Sequence, residues 1–365
     1  GFPGKKSEHF PIVQEEPLIR MPKDKFNAEY VRAHNAYYEE KCAMFINQGS
    51  LKDEPLPIEK CETGNTRIFY VCNAVSLVMG RQYLAPFISH MLELNELFCT
   101  TIGKNMYKSA DELHEEMEQW SEIMMAGDYK KFDLTMPLFI RLIGSTVIYE
   151  VLKHFGYSEY ALKMVMGILS DLLFPVFLLY EDIIMRNIIL SGIFATAELN
   201  SLFGLIMMLY AWFSNPKLAD LNPFDYLKPK IYGDDNVTAV KETIAEFFNN
   251  ETYAKQCKEL FNMTYTDPDK GDKIRKFMKL DDVDYLKRKF VRSELFGRYV
   301  ARLDINSIYK MVMWTIPSDS VNQEEQLIGT LNSFLMECFL YSESVESYNN
   351  LRADVMSTYQ DHFGR

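Results

Sequence analysis

Ile231, Tyr232-Gly233-Asp234-Asp235-Asn236 and Val237-Thr238-Ala239-Val240 leave the chain few ways to fold between them. Two β-favouring flanks around a Gly-Asp-Asp-Asn centre predict a hairpin whose tight turn carries two adjacent carboxylates at its tip. Adjacent carboxylates repel, and they cost free energy unless a cation sits between them and a partner. A solvated acidic turn accounts for the same five residues, so the pair gains meaning only from what the rest of the chain brings beside it.

At 365 residues the chain can bury a large core and hold two or three structural units. Hydrophobic residues make up 48% and charged ones 25%, the balance of a soluble globular chain. Cys42, Cys61, Cys72, Cys99, Cys257 and Cys338 show no CxxC spacing, and the six histidines are too scattered to suggest a zinc site. A reducing, intracellular setting is expected. No charged-then-apolar leader opens the chain, so no secretory signal is expected. The apolar run from Leu202 to Phe213 is short for a bilayer, and the run from Met164 to Tyr180 is broken by Asp171 and Pro175, so both are expected to be buried helices. A net charge of −12 argues against a general nucleic-acid coat protein, which needs a basic surface.

Along the chain, Gly1 to Lys6 reads as the middle of a loop. Gly64-Asn65 predicts a turn before a strand from Thr66 to Val71, which would bring Lys60 and Arg67 to one end of a hairpin able to hold an anion. Ser109 with Glu112 predicts a capping box for a helix running to Trp120. The apolar stretch Glu122 to Gly127 predicts a strand ending at Asp128, and Leu134 to Phe155 a helix with Pro137 in its first turn and Asp133 at its entrance. Ser191-Gly192 predicts a flexible loop opening a helix through Phe213, with Thr196 and Asn200 four apart on one face. Hydrogen bonding within the core accounts for that polar pair equally well. Asp267 to Asp272 resembles a calcium loop only superficially, since Met278 stands where an EF-hand needs Glu. Tyr285 to Phe290 predicts a basic strand, and the remainder to Arg365 has helical periodicity.

In order and spacing these stretches resemble the motif series of the RNA-dependent RNA polymerases of picorna-like positive-strand RNA viruses. Asp128-x4-Asp133 resembles motif A, and Ser191-Gly192-x3-Thr196-x3-Asn200-Ser201 resembles motif B. Tyr232 to Asp235 resembles motif C, Thr266 to Lys270 motif D, and Tyr285-Leu286-Lys287-Arg288 motif E. Upstream, Lys52 to Glu54, Lys60, Gly64 and Thr66-Arg67 resemble motif F, and Gly1-Phe2-Pro3 the tail of motif G. Departures from the family pattern are Leu56 and Asn65 where basic residues are frequent, Leu190 where proline is common, and Pro229-Lys230 before the hairpin.

The resemblance implies an α+β right-hand fold, with a palm of a small antiparallel sheet backed by helices. Fingers are expected over 1–85 and 171–190, palm over 86–170 and 191–290, and a helical thumb over 291–365. The fingers look incomplete at the start, so the chain is expected to be less active than one extended upstream. Implied too is template-directed RNA synthesis from ribonucleoside triphosphates by two-metal nucleotidyl transfer, with Mg²⁺ or Mn²⁺ on Asp128, Asp234 and Asp235. Lys60 and Arg67 would neutralise the leaving pyrophosphate, and Lys270 would donate its proton. Asp133 and Asn200 would meet at the ribose 2′-hydroxyl, supported by Ser191 and Thr196. RNA template and nascent strand, and a small protein primer, are the implied partners, in replication complexes of the host cytoplasm. A reverse transcriptase is the alternative, but it usually carries an aromatic where Asp133 stands; a catalytically inactive RNA-binding fragment is a further one.

Overall fold

The computed structural model describes residues 10–14, 19–20, 23–269, 273–317 and 321–363. The chain opens with β1 (Ile12–Gln14) and β2 (Ile19–Arg20), then α1 (Asp24–Tyr38), β3 (Ile46–Leu51), α2 (Ile58–Glu62), β4 (Ile68–Val71) and α3 (Ala74–Glu93). There follow α4 (Met106–Trp120), β5 (Met124–Tyr129), α5 (Phe132–Thr135), α6 (Leu138–His154), α7 (Glu159–Leu173), β6 (Val176–Leu179) and β7 (Asp182–Met185). Next are α8 (Thr196–Phe213), β8 (Leu227–Tyr232), β9 (Asp235–Val240), α9 (Asn250–Phe261) and β10 (Tyr265–Thr266). The chain closes with β11 (Arg288–Ser293), β12 (Arg298–Leu303), α10 (Ile305–Met313), α11 (Gln323–Tyr341) and α12 (Val345–Phe363).

A four-stranded antiparallel sheet in the order β10-β5-β9-β8 positions the hairpin. Successive side chains of a strand face opposite ways, and here both faces are covered. Met125 and Val240 join the core that holds Leu199, Leu202 and Phe203 of α8, whereas Met124, Ala126, Val237 and Ala239 pack with Met106, Ala110, Leu113 and Met117 of α4. A one-residue slip of β5 would exchange the two sets, so its register is well specified. A second sheet, β4-β3-β6-β7, has β3 and β6 parallel and its other pairs antiparallel.

Several expected elements fall elsewhere. Lys60 lies on α2 rather than on a strand, because Pro55 and Pro57 interrupt any ladder and Pro57 leads directly into the helix. The hairpin is β3 with β4, and Arg67 sits opposite Lys52, whose N–H donates to its carbonyl at 2.8 Å. Helix α4 begins at Met106, capped by the Asn105 side chain accepting from Tyr107 N, so Ser109 caps nothing. The helix expected from Leu134 breaks into α5 and α6 at Met136-Pro137, where proline drives Met136 to ψ 119°. Beyond Leu173 the run ending at Tyr180 is strand β6, not helix. The C-terminal part opens with the β11–β12 hairpin before turning helical, and Leu286 and Lys287, both at φ 57°, make a turn ahead of β11. Among the described residues one helix, α8, is long and apolar enough to cross a membrane, and 61% of its window is buried in this core.

Pro229 and Lys230 do not interrupt β8. The N–H of Ile231 points away from β9, to the carbonyl of Cys99 at 2.8 Å, so two residues earlier a proline removes no ladder bond. Lys230 is 1% exposed, and its ammonium donates to both oxygens of Glu96 (2.8 and 2.7 Å) and to Glu116 (2.8 Å). Burial alone would raise the Glu96 carboxyl, but the Lys230 and Lys104 hydrogen bonds outweigh it and hold it at about 2. Lys230→Met is therefore expected to destabilise the chain by roughly 1–3 kcal/mol, less than the ~3–5 of a fully buried pair because Glu96 can rehydrate. Denaturant titration measures this, and an unchanged midpoint would remove Lys230 from the elements that hold the hairpin edge.

Candidate active site

The expected hairpin is present, but its two-residue loop is Gly233-Asp234, so only one of the two carboxylates expected at the tip lies in the loop. Tyr232 pairs with Asp235, and Gly233 takes φ 64°, the positive value the first loop position requires. Asp234 is thereby at the tip and Asp235 begins β9. Beside them β5 delivers Asp128, one residue past the Gly127–Asn236 pair, so that it lies level with Asp235 across the ladder. Gly127 is needed for this approach: a Cβ there would come within 2.4 Å of the Tyr265 ring and 2.6 Å of the Thr266 carbonyl.

Hydrogen bonds through Ser201 and Asn236 fix the loop. Ser201 of α8 accepts from Gly233 N at 2.8 Å, while its own hydroxyl donates to Ala197 O at 2.9 Å. Buried Asn236 donates to the carbonyls of Gly127 and Asp234, both at 3.3 Å, and accepts from the Tyr265 hydroxyl at 3.0 Å. Neither Ser201 nor Asn236 was singled out from the sequence as a site residue; an amide and a hydroxyl on otherwise apolar elements were the available signals.

The carboxylates confront one another. Burial, then the charges of Asp234, Asp128 and Asp284, push the Asp235 carboxyl up to about 7. Asp234 keeps an exposed edge at the tip, yet desolvation by the surrounding protein, and then the Asp128 charge, raise its carboxyl, while its own backbone hydrogen bond and Arg67 pull it down. Among the described residues no ion pair neutralises Asp234 or Asp235. A folded-state value raised from 3.8 to about 7 gives no penalty below the unfolded value and a full one above about 7. In chelator, Asp235→Asn is accordingly expected to stabilise the fold by on the order of 1–3 kcal/mol at pH 8 and by almost nothing near pH 4. Equal gains at both pH values would contradict the repulsion.

A second group forms where α5 meets α8. Asn200 donates from Nδ2 to Asp133 Oδ1 at 2.9 Å, as the two were expected to meet. Burial raises the Asp133 carboxyl, and its hydrogen bond from Asn200 and the Arg67 charge oppose this. The Oδ1 atom of Asn200 is buried and has no hydrogen-bond partner among the described residues. Such an orphaned acceptor is costly unless a donor is brought to it.

The remaining candidates divide. Arg67 is exposed and 3.7 Å from Glu54, with its charge felt at both Asp133 and Asp234. Lys60 is exposed on α2 and makes no ion pair among the described residues; its carbonyl accepts from Asn65 N at 2.9 Å, two residues before Arg67. Thr196 turns its hydroxyl back to the carbonyls of Ile193 (2.9 Å) and Ser191 (3.3 Å), tying the loop and not reaching Asn200. Ser191 is exposed in that loop, and neighbouring Gly192 lies where a Cβ would meet the Tyr70 carbonyl at 2.0 Å, which seats the loop on β4. Lys270 and Gly1-Phe2-Pro3 lie outside the described residues.

Residues 1–350 match the family described as viral RNA-dependent RNA polymerase. The chain belongs to that family. It is similar to the replicase polyprotein of Drosophila C virus, 29% identical over 336 residues, 87% of this chain and 18% of the polyprotein. The replicase polyprotein of cricket paralysis virus is 27% identical over 333 residues, 86% of this chain and 18% of that one. The chain thus spans under a fifth of the curated relatives it matches. Among solved structures it is similar to a Sicinivirus 3Dpol RNA-dependent RNA polymerase, with a TM-score of 0.73 at 18% identity, over 97% of this chain and 74% of that one. The expected α+β right-hand polymerase fold is the fold of this family member.

The residues suit a hard divalent cation. Asp128, Asp234 and Asp235 offer oxygen donors alone, which Mg²⁺ and Mn²⁺ prefer, and the repulsion that helps raise the Asp234 and Asp235 carboxyls is what such an ion would quench.

Proposed function

We propose that this chain performs template-directed RNA synthesis from ribonucleoside triphosphates in viral genome replication, acting on an RNA template and nascent strand and, in initiation, on a protein primer. The observation that carries the reading is the convergence of Asp128 with Asp234 and Asp235, beside a paired Asp133 and Asn200 whose buried Oδ1 lacks a donor. Fingers over 1–85 and 171–190, palm over 86–170 and 191–290, and thumb over 291–365 belong to the same proposal.

Two divalent cations on the three carboxylates would supply charge neutralisation at the attacking 3′-oxygen and the leaving oxygen. The chain itself does the rest. Ser201 and Asn236 hold the hairpin tip so that Asp234 and Asp235 need no reorganisation when substrate arrives. Arg67, already acting electrostatically on Asp133 and Asp234, would take up triphosphate charge at the same place. Asn200 Oδ1 would accept the ribose 2′-hydroxyl proton, a hydrogen bond a deoxyribonucleotide cannot make.

Primer extension on homopolymeric RNA with Mg²⁺ or Mn²⁺, by this chain and by one extended upstream, tests the reading. Incorporation of the complementary ribonucleotide is expected. Exclusive use of deoxyribonucleotides would point to a reverse transcriptase, and RNA binding without incorporation by either chain to an inactive fragment.

A further inference from the structure

His114 lies on α4 on the side of the central sheet away from α8, and it is 1% exposed. Its ring is held flat against Tyr299, with centroids 3.5 Å apart and planes 14° apart, and is tilted against Phe290 at 5.8 Å. The ring cannot turn, so its two nitrogens point in fixed and divergent directions. Nε2 meets Asp281 Oδ1 at 3.0 Å, a hydrogen bond in which the ring N–H donates to the carboxylate. Nδ1 is buried with no hydrogen-bond partner among the described residues, and 3.6 Å away stands Oε2 of Glu118, one helical turn along α4.

In the tautomer with its proton on Nε2, the one that donates to Asp281, Nδ1 presents its lone pair toward Glu118. An imidazole lone pair facing a carboxylate across a gap too long for a hydrogen bond is unfavourable as it stands, and a divalent ion between them relieves it. Zinc sits about 2.0–2.1 Å from imidazole nitrogen and about 2.0–2.2 Å from carboxylate oxygen, so tetrahedral ligands lie about 3.3–3.4 Å apart. The observed gap exceeds this by a few tenths of an ångström, and Glu118, 47% exposed, is free to close it. Asp281, 56% exposed, leaves the site open to solvent ions. The histidine scatter along the chain hid this arrangement, because one ring serves where an acidic helix and the turn at Asp281 supply the carboxylates.

We propose that His114 Nδ1 and Glu118 bind a divalent transition-metal ion, zinc by preference, with Asp281 orienting the imidazole from its other nitrogen and water completing the coordination. One nitrogen and oxygen donors favour zinc over magnesium, which takes oxygen ligands and sheds its waters reluctantly. The ion would staple one turn of α4, from His114 to Glu118, while the Nε2 bond to Asp281 ties the liganded ring to the turn that leads into β11, at the seam where the Tyr299 N–H of β12 also donates to Asp111. The site is separate from Asp128, Asp234 and Asp235, and it stands or falls without reference to RNA synthesis.

Equilibrium dialysis of the chelator-stripped 365-residue chain against Zn²⁺ tests it, in an Asp128→Asn, Asp234→Asn, Asp235→Asn background that removes the three carboxylates at the hairpin. One zinc is expected whose affinity falls at least tenfold in Glu118→Gln and roughly 10–100-fold in Asp281→Asn, the range for loss of an orienting carboxylate. Both altered side chains are exposed, so these variants should fold. With Co²⁺ in place of zinc, X-ray absorption should register imidazole scattering that Glu118→Gln weakens. Zinc affinity identical in the parent and in Glu118→Gln, or bound cobalt without an imidazole neighbour, would overturn the assignment and leave zinc on exposed thiols such as Cys42 and Cys61.

Discussion

Asp234→Ala, and separately Asp128→Ala, should cut ribonucleotide incorporation by at least roughly 10³-fold, the equivalent of the several kcal/mol that metal-held charge contributes at a transferring phosphoryl group. The reason is positional: Asp128 comes from β5 and Asp234 from the loop between β8 and β9, and the β5–β9 register sets Asp128 level with Asp235, next to that loop. Removing either should leave the fold intact. Losing Asp234 relieves Asp235, whose carboxyl it helps push to about 7, so in chelator above pH 7 the variant should be slightly more stable than the parent. Activity loss with a gain in stability separates a site residue from a structural one. Single-turnover extension and denaturant titration on the same preparations measure both, and near-normal extension by either variant would sink the metal assignment.

How far these features could be read from the sequence depends on how locally each is determined. The β8–β9 hairpin was legible because its whole cause lies in a few consecutive residues: β-favouring flanks and a glycine where φ must be positive. The capped start of α4 and the split at Met136-Pro137 are equally local, and were misjudged because Asn105 competes with Ser109 and because proline's effect falls on the residue before it. Lys60 was misplaced for the opposite reason. Gly64-Asn65 carries a hairpin signal, but Pro55 and Pro57 deny the preceding segment a ladder, so the turn closes a short helix. The partners of the hairpin depend on contacts far apart in sequence. That Asp128 arrives beside Asp235, that Ser201 holds Gly233, and that Lys230 is buried between Glu96 and Glu116 are consequences of register and helix packing, which no window of the sequence contains. The family resemblance supplied the first of these in advance; the other two rest on this chain's own packing.

The pairing of Asn200 with Asp133 leads to a result in selectivity rather than in rate alone. In the structure Asn200 spends its donor on Asp133 and leaves Oδ1 buried without a donor, so the site is incomplete until something supplies an O–H. A ribonucleotide would satisfy it; a deoxyribonucleotide would leave the acceptor unpaired, at a cost of about 1–3 kcal/mol. Asn200→Ala is therefore expected to lower the ribo-to-deoxy ratio of kcat/KM by roughly 5–150-fold, the same free energy expressed as a ratio. Much of the loss should come from the ribonucleotide, since the deoxy substrate never made the bond. Asp133→Ala should act in the same direction by freeing the amide to rotate, and the double variant should lose little more than the worse single one, because both act through one hydrogen-bonded unit. Thr196→Val supplies the contrast: its hydroxyl is turned to Ile193 and Ser191, so it should alter the loop without shifting sugar selectivity. Ratios unchanged in both Asn200→Ala and Asp133→Ala would show that discrimination lies elsewhere, and a shift in Thr196→Val as large as theirs would show that the loop, and not the amide, reads the sugar.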